Sequence, residues 1–512
     1  MYLEDVQKTA QEQGILQQDL WKMTQTWEPG VLPDATALAR ARDSLPQTLP
    51  DDGLGFDWAT KHVLDDMVPA FNRSSISPNY YGFVTGGITP AALFADNIVS
   101  AYDQNVQVHL TEHTIATDVE HCALGLLVDL LRLDRRHWHN GTFTTGATAS
   151  NVQGLACGRE FVLRTAAERK GLSIKSVGEH GLFEVMQAAG LSGVQVLSTL
   201  PHSSLGKAAG ILGIGRANVR NICRDDNPLR FDLERLEMEL AAPHKASIVA
   251  VSCGEVNTGQ FATSSLQEMQ QLRALCDKYG AWLHVDGAFG IFARILDPPT
   301  AEFASLTRGC EGMELADSIA CDAHKLLNVP YDCGFVLSRH PAEAMNVFQN
   351  ANAAYLTGGQ SGGGGGRELS IPSPLNNGME NSRRFRALPV YTSLLAYGRN
   401  GYKTMLQRQV RLARMIAGWL YDHPKYNVLP AAGSREALLD QTYMVVLFSA
   451  KDDILNGGLA NSINATSKMF VSGTSWDGRP ACRIAISNWR AEEERDFALV
   501  THVLQSVADE SA

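Results

Sequence analysis

From about residue 80 to 395, short β-branched and apolar runs alternate with stretches of helical spacing, which predicts an α/β region built on a mostly parallel sheet. The clearest unit opens with Ile248-Val249-Ala250-Val251 inside the run 247–253. It continues with Leu266, Met269, Leu272 and Leu275 at three-residue spacing and closes on Trp282-Leu283-His284-Val285-Asp286. Ser265 and Glu268 form a candidate capping box ahead of the helix, and Gly280 is a candidate C-cap. The pattern is a βαβ unit with Asp286 at the carboxyl end of its second strand, the edge at which open α/β sheets bind ligands. A helix cap or turn residue is the alternative reading of that aspartate.

The flanks differ. Residues 1–79 mix polar and amphipathic helical stretches with a Pro-containing segment at 45–52 and read as an N-terminal arm, of the kind that packs on a partner subunit. After Ala396-Tyr397-Gly398 the pattern becomes a long helix at 401–421, then short strands around 443–449 and 483–487. The expected organisation is an arm (1–79), a large domain (80–395) and a smaller C-terminal α+β domain (396–512).

Composition narrows the function classes. Among 512 residues, 45% are apolar and 19% charged, too apolar for a disordered chain. The net charge of −11 disfavours nucleic acid as a partner. No apolar run reaches the ~18 residues of a membrane helix, and Met1-Tyr2-Leu3-Glu4-Asp5 lacks the features of a signal peptide, so a cytoplasmic protein without membrane partners is expected. Nine cysteines without a Cys-x-x-Cys pair fit reduced thiols, with neither a disulfide framework nor structural zinc. His137-Trp138-His139 lacks a third ligand at a recognisable spacing, so no metal site is expected. Arg383, Arg384 and Arg386 read as interface or active-site pairing groups.

The chemistry gathers around a lysine. The candidate strand 318–321 runs into Asp322-Ala323-His324-Lys325, which would put Lys325 and Asp286 at one sheet edge. An amine that can form a Schiff base beside a carboxylate that can keep a pyridine nitrogen protonated suggests pyridoxal phosphate, although Lys325 alone could be a surface lysine. Thr144-Thr145-Gly146-Ala147-Thr148-Ala149-Ser150-Asn151 opens a helical run with small residues suited to a phosphate, or is an ordinary helix start. His202, in Leu200-Pro201-His202-Ser203-Ser204, could stack on a cofactor ring or be a loop histidine.

Gly146-Ala147-Thr148-Ala149-Ser150-Asn151, His284-Val285-Asp286-Gly287-Ala288-Phe289-Gly290, Asp317-Ser318 through Asp322-Ala323-His324-Lys325, and Ser382-Arg383-Arg384-Phe385-Arg386-Ala387-Leu388 stand in that order. Together they resemble the group II pyridoxal-phosphate-dependent amino-acid decarboxylases, which include aromatic-L-amino-acid and glutamate decarboxylases. The resemblance runs from about residue 60 to 490. It implies a fold type I homodimer with active sites at the subunit interface. It makes Lys325 the Schiff-base lysine, Asp286 the pyridinium partner, His202 the stacking residue and Ala288 the small residue beneath the ring. Ala149 and Ser150 would hold the phosphate, with His324 beside it. Tyr355, 30 residues after Lys325, stands where the family's loop tyrosine supplies the proton that completes decarboxylation. The segment 358–366 that follows holds seven glycines in nine residues, which suits a lid better than a core, with a plain linker as the alternative.

The chain also departs from the family. Glu255 stands where threonine is more frequent, and Ala262 where aspartate is common. A Glu255 facing the substrate would repel a second carboxylate by ~4 kcal/mol at about 4 Å and an effective dielectric of about 20; a solvent-facing or arginine-paired Glu255 is the equal alternative. Tyr81, Phe83 and Phe289 near the expected pocket favour an aromatic substrate. The expected activity is decarboxylation of an L-amino acid to the amine and carbon dioxide. The alternatives are chemistry that yields an aldehyde and a catalytically silent binding or scaffold relative.

Overall fold

In the computed structural model the described residues are 30–110, 112–296, 301–349 and 371–510. Tyr355 and the glycine-rich segment lie outside them. The main sheet has seven strands: β1 (Asn140–Thr144), β2 (Gly193–Ser198), β3 (Val219–Asn221), β4 (Lys245–Ser252), β5 (Trp282–Asp286), β6 (Ser318–Asp322) and β7 (Gly334–Ser338). Their spatial order is β1-β7-β6-β5-β4-β2-β3, and β7 alone runs against its neighbours. β4, β5 and β6 are central and nearly wholly buried, which is why their sequences are apolar on both faces instead of alternating.

The βαβ unit folds as its spacing predicts. The helix Leu266–Tyr279 buries Met269, Leu272 and Cys276, Ser265 Oγ accepts the Glu268 N–H at 3.3 Å, and Gly280 ends it in the left-handed conformation at φ 71°. The capping box closes differently: the Glu268 carboxylate takes the backbone N–H of Ser264 at 2.7 Å, one residue earlier than expected.

The C-terminal part has its own antiparallel sheet of β8 (Tyr426–Leu429), β9 (Val445–Ala450), β10 (Ser472–Trp476) and β11 (Arg479–Ala485), in the order β10-β11-β9-β8. The long helix starts earlier than its pattern suggests, at Ala387, and reaches Asp422; Gly398 alone leaves helical geometry, at φ 57°, and the helix resumes after it. One glycine therefore kinks the element instead of separating two. Tyr81 is fully buried in the core under the small sheet, its hydroxyl accepting the Asn79 amide at 3.0 Å, so it is a packing residue and not a pocket residue.

The arginine motif pairs within the chain. Arg383 meets Glu120 through two hydrogen bonds of 2.9 and 2.5 Å, with both side chains buried, and Arg384 and Arg386 reach Asp96 and Asp332. Removing one partner of a buried ion pair leaves an uncompensated charge. Arg383→Leu should therefore lower unfolding stability by ~3–5 kcal/mol in a urea titration, and Arg383→Leu with Glu120→Leu should recover most of the loss.

Candidate active site

The parallel strands deliver their carboxyl ends to one edge of the sheet. Asp286 ends β5, Ser252 ends β4 opposite it, and β6 ends in Asp322, from which a short helix, Ala323–Leu326, carries His324 and Lys325. At this edge lies a cavity of about 450 Å³. A larger one of about 600 Å³, lined by Arg224, Asp226 and Glu268, shares no residue with it and holds none of the expected chemistry.

Most of the expected residues line the smaller cavity: Phe83, Ala149, His202, Asp286, Ala288, His324 and Lys325. The Lys325 ammonium lies 2.8 Å from Asp322 Oδ2 and 5.6 Å from the Phe289 ring centre. Asp286 is buried, accepting the Asn151 amide at 3.0 Å on Oδ2 and the Ala288 N–H at 3.3 Å on Oδ1. His202 caps the helix Ser203–Ile211, its Nδ1 receiving the Ser204 N–H at 3.2 Å. Burial lowers the pKa of His324, so its imidazole is neutral at pH 7.

Two expected contributors do not line the cavity. Ser150 is fully buried, with its hydroxyl 2.7 Å from Thr144 Oγ1 and its N–H on the Gly146 carbonyl, so its donors are already engaged. Glu255 is buried in its own turn, accepting the Thr258 N–H at 2.8 Å and the Thr258 hydroxyl at 2.9 Å. Its charge reaches the cavity through Arg483, whose guanidinium pKa is pulled down to about 10 by burial and supported by Glu255.

The structure adds residues that the sequence reading missed. Arg483 lines the cavity, donates to the Phe83 carbonyl at 2.8 Å and keeps a buried Nε with no partner among the described residues. A charged residue inside the apolar run 481–486 was the available signal. Asp322 accepts the Ala147 N–H at 2.5 Å while facing Lys325, and Tyr331 lines the cavity with its ring 4.6 Å from that of His324. Phe83 itself is held at φ 59°, a costly conformation for a bulky residue, by its N–H on Ser472 and its carbonyl on Arg483.

These residues fit pyridoxal phosphate. The helix Ala147–Glu168 begins at Gly146 without a side-chain cap, so of the N–H groups of Ala147, Thr148 and Ala149 only that of Ala147 is spent among the described residues, on Asp322. His324 Nδ1 is buried beside that helix start with no partner among the described residues, and Asp286 offers a buried carboxylate for a ring nitrogen.

The sheet order, the lone reversed strand and the lysine beyond β6 define the class of fold type I enzymes that use this cofactor. The chain belongs to the family described as the pyridoxal-dependent decarboxylase conserved domain, which matches residues 40–432. It is 25% identical over 399 residues to aspartate 1-decarboxylase of Aliivibrio fischeri, covering 76% of this chain and 68% of that one. It is 23% identical over 474 residues to a tryptophan decarboxylase of Camptotheca acuminata, covering 91% and 86%. Its fold matches that of Oryza sativa TDC, solved with PLP and tryptamine, at a TM-score of 0.79 and 21% identity over 99% and 98% of the chains. The protein is a pyridoxal-phosphate-dependent carboxy-lyase of amino acids.

The lysine segment is packed against backbone. A Cβ at Gly86 would come within 2.1 Å of the Lys325 carbonyl oxygen, an approach only glycine permits. Gly86→Ala should keep the far-ultraviolet circular dichroism of the wild type and lose retained cofactor, measured as visible absorbance per mole of protein.

Proposed function

We propose that this enzyme removes the α-carboxylate of an aromatic L-amino acid as carbon dioxide and releases the amine, working as a cytoplasmic homodimer. The observation that carries this reading is that Lys325 and Asp286 face one cavity from neighbouring strand ends, beside a helix start with unspent donors. Pyridoxal phosphate, when bound, supplies a protonated ring that takes up the electron pair left on the α-carbon as carbon dioxide departs.

The side chains then divide the work. Lys325 would hold the cofactor through its amine, with Asp322 2.8 Å away to orient it. Asp286 would pair with the ring nitrogen, and His202 and Ala288, which line the cavity, would pack on the ring. The first turn at Thr148 and Ala149, with His324 Nδ1, would hold the phosphate, and Ser150 supports that turn through Thr144. Arg483 offers its unspent Nε–H to a substrate carboxylate, a charge-assisted contact in a buried setting. Glu255 acts through Arg483 by favouring its charged form against the cost of burial. Tyr355, outside the described residues, delivers the proton to the α-carbon, a role supported by its place after Lys325 and by the phenol's capacity as a general acid.

Phe83, Phe289 and Tyr331 along the cavity support an aromatic side chain, as does the likeness to a tryptophan decarboxylase. Exposed Phe94, Tyr102 and Ile115, each more than 60% accessible, support a subunit interface. All nine cysteines are free, and Cys253 and Cys310 remain unbonded with sulfurs 3.9 Å apart, which supports a reducing compartment.

Borohydride reduction followed by peptide mapping should find the pyridoxyl group on Lys325, and carbon dioxide release across aromatic, acidic and basic L-amino acids should be fastest with an aromatic one. Label on another lysine would remove the assignment, while a preference for acidic substrates would give Arg483 a side-chain carboxylate instead. Tyr355→Phe should still release carbon dioxide but, consuming one dioxygen and one water, yield aldehyde, ammonia and hydrogen peroxide in place of amine, as read by chromatography and oxygen uptake. Amine formed at the wild-type rate by that variant would put the proton donor elsewhere.

A further inference from the structure

Behind Asp286 a chain of buried polar groups leads away from the cavity. Asn151 Nδ2 lies 3.0 Å from Asp286 Oδ2 and 3.0 Å from Ser204 Oγ, and Asn151 Oδ1 lies 2.9 Å from His284 Nε2. His284 Nδ1 is 2.7 Å from Ser318 Oγ, which accepts the Trp282 indole N–H at 2.9 Å. Toward the cavity, Ser204 Oγ is 2.7 Å from His202 Nδ1. Asn151, Trp282, His284 and Ser318 are all at 0% exposure, so each group must find its partner inside the chain. The helix Ala147–Glu168 can lie on the imidazole because position 154 is glycine: a Cβ there would sit 2.6 Å from His284 Cε1.

Donor and acceptor capacities permit two arrangements of protons. Burial lowers the His284 pKa to about 4, so in either arrangement the ring carries one N–H. In the first, Asp286 Oδ2 carries no proton and accepts from the Asn151 amide. Asn151 Oδ1 then accepts His284 Nε2–H, His284 Nδ1 accepts the Ser318 hydroxyl, and Ser318 accepts the indole. Ser204, which accepts from Asn151, donates its hydroxyl to His202 Nδ1, and that nitrogen also receives the Ser204 N–H. Every proton has an acceptor, and His202 carries its own on Nε2.

In the second, Asp286 Oδ2 carries a proton and Asn151 is turned end for end. His284 Nδ1–H and the indole N–H would then both point at Ser318 Oγ, whose hydroxyl makes no other hydrogen bond among the described residues. Ser204, donating to Asn151, would turn a lone pair toward His202 Nδ1. The second arrangement strands a buried hydroxyl and opposes two acceptors, whereas the first strands nothing. An indole that can only donate, at the far end of the chain, is what separates them.

We propose that Trp282, Ser318, His284 and Asn151 are positioning residues that keep the Asp286 oxygen facing Asn151 as an acceptor without a proton and present His202 to the cavity with its proton on Nε2. This rests on the proposed role of Asp286 at the cofactor ring and adds the device that orients its carboxyl group.

Neutron diffraction from deuterium-exchanged crystals of the holoenzyme reads the arrangement directly. Deuterium should sit on Nε2 and not Nδ1 of both His284 and His202, with none on the Asp286 oxygen facing Asn151. Deuterium on His284 Nδ1 or on that oxygen would overturn the proposal. A second arm uses Ser318→Ala and Ser318→Thr, with pyridoxal phosphate affinity measured by equilibrium dialysis against cofactor-stripped protein. Ser318→Ala should weaken binding by about tenfold, the scale of one lost buried hydrogen-bond partner, and Ser318→Thr, which keeps the hydroxyl, should restore it. Unchanged affinity in Ser318→Ala, or equal loss in both variants, would overturn it as well. Absence of label on Lys325 would remove the proposed function and leave these tautomers as drawn, while reversed tautomers with Lys325 labelled would remove the chain alone.

Discussion

The register between β5 and β6, with Asp286 opposite Ala320, is the constraint on which the site depends. Parallel strands point their carboxyl ends the same way, so this pairing lets β6 continue past Asp286 to Asp322 and then turn into the short helix bearing Lys325. Two residues far apart in sequence thereby meet at one cavity. A slip of one residue in β5 would move Asp286 to the other face of the sheet, away from the helix start that shares the cavity with it.

The lysine-bearing segment is then fastened from several sides. Asn328 Oδ1 accepts the N–H groups of Gly87 at 2.7 Å and Trp489 at 2.9 Å, so the entry into the large domain and a loop after β11 close on the turn beyond Lys325. Tyr402 from the long helix donates to the Leu327 carbonyl at 3.1 Å, and Arg386 holds Asp332. The arginine motif, directly ahead of the start of that helix, is therefore part of the scaffold: its charges are spent on Glu120, Asp96 and Asp332 inside the chain. Buried charge of this kind is tolerated because each guanidinium meets a carboxylate within hydrogen-bond reach.

Electrostatics inside the cavity follow from the same packing. Lys325 and Arg483 supply positive charge, Asp286 and Asp322 negative charge, and His324 is kept neutral by burial, as is His284 behind the cavity. An amino acid brings both signs, and the cavity presents both, with aromatic side chains of Phe83, Phe289 and Tyr331 along its wall.

Local pattern was enough for the βαβ unit at 247–286, for the alternation that makes the large sheet, and for placing Asp286 and Lys325 at one edge. Those features depend on periodicity and on turn and cap chemistry, which short segments carry by themselves. The tertiary structure decided the rest. It set β1 beside β7, nearly two hundred residues later, carried Phe83 and Arg483 to the cavity from opposite ends of the chain, and took Tyr81 into the small-sheet core. It also spent the Ser150 hydroxyl on Thr144 and the Glu255 carboxylate on Thr258. Motif spacing names a residue, but which way its side chain turns depends on partners supplied by distant segments, and those partners exist only once the chain has packed.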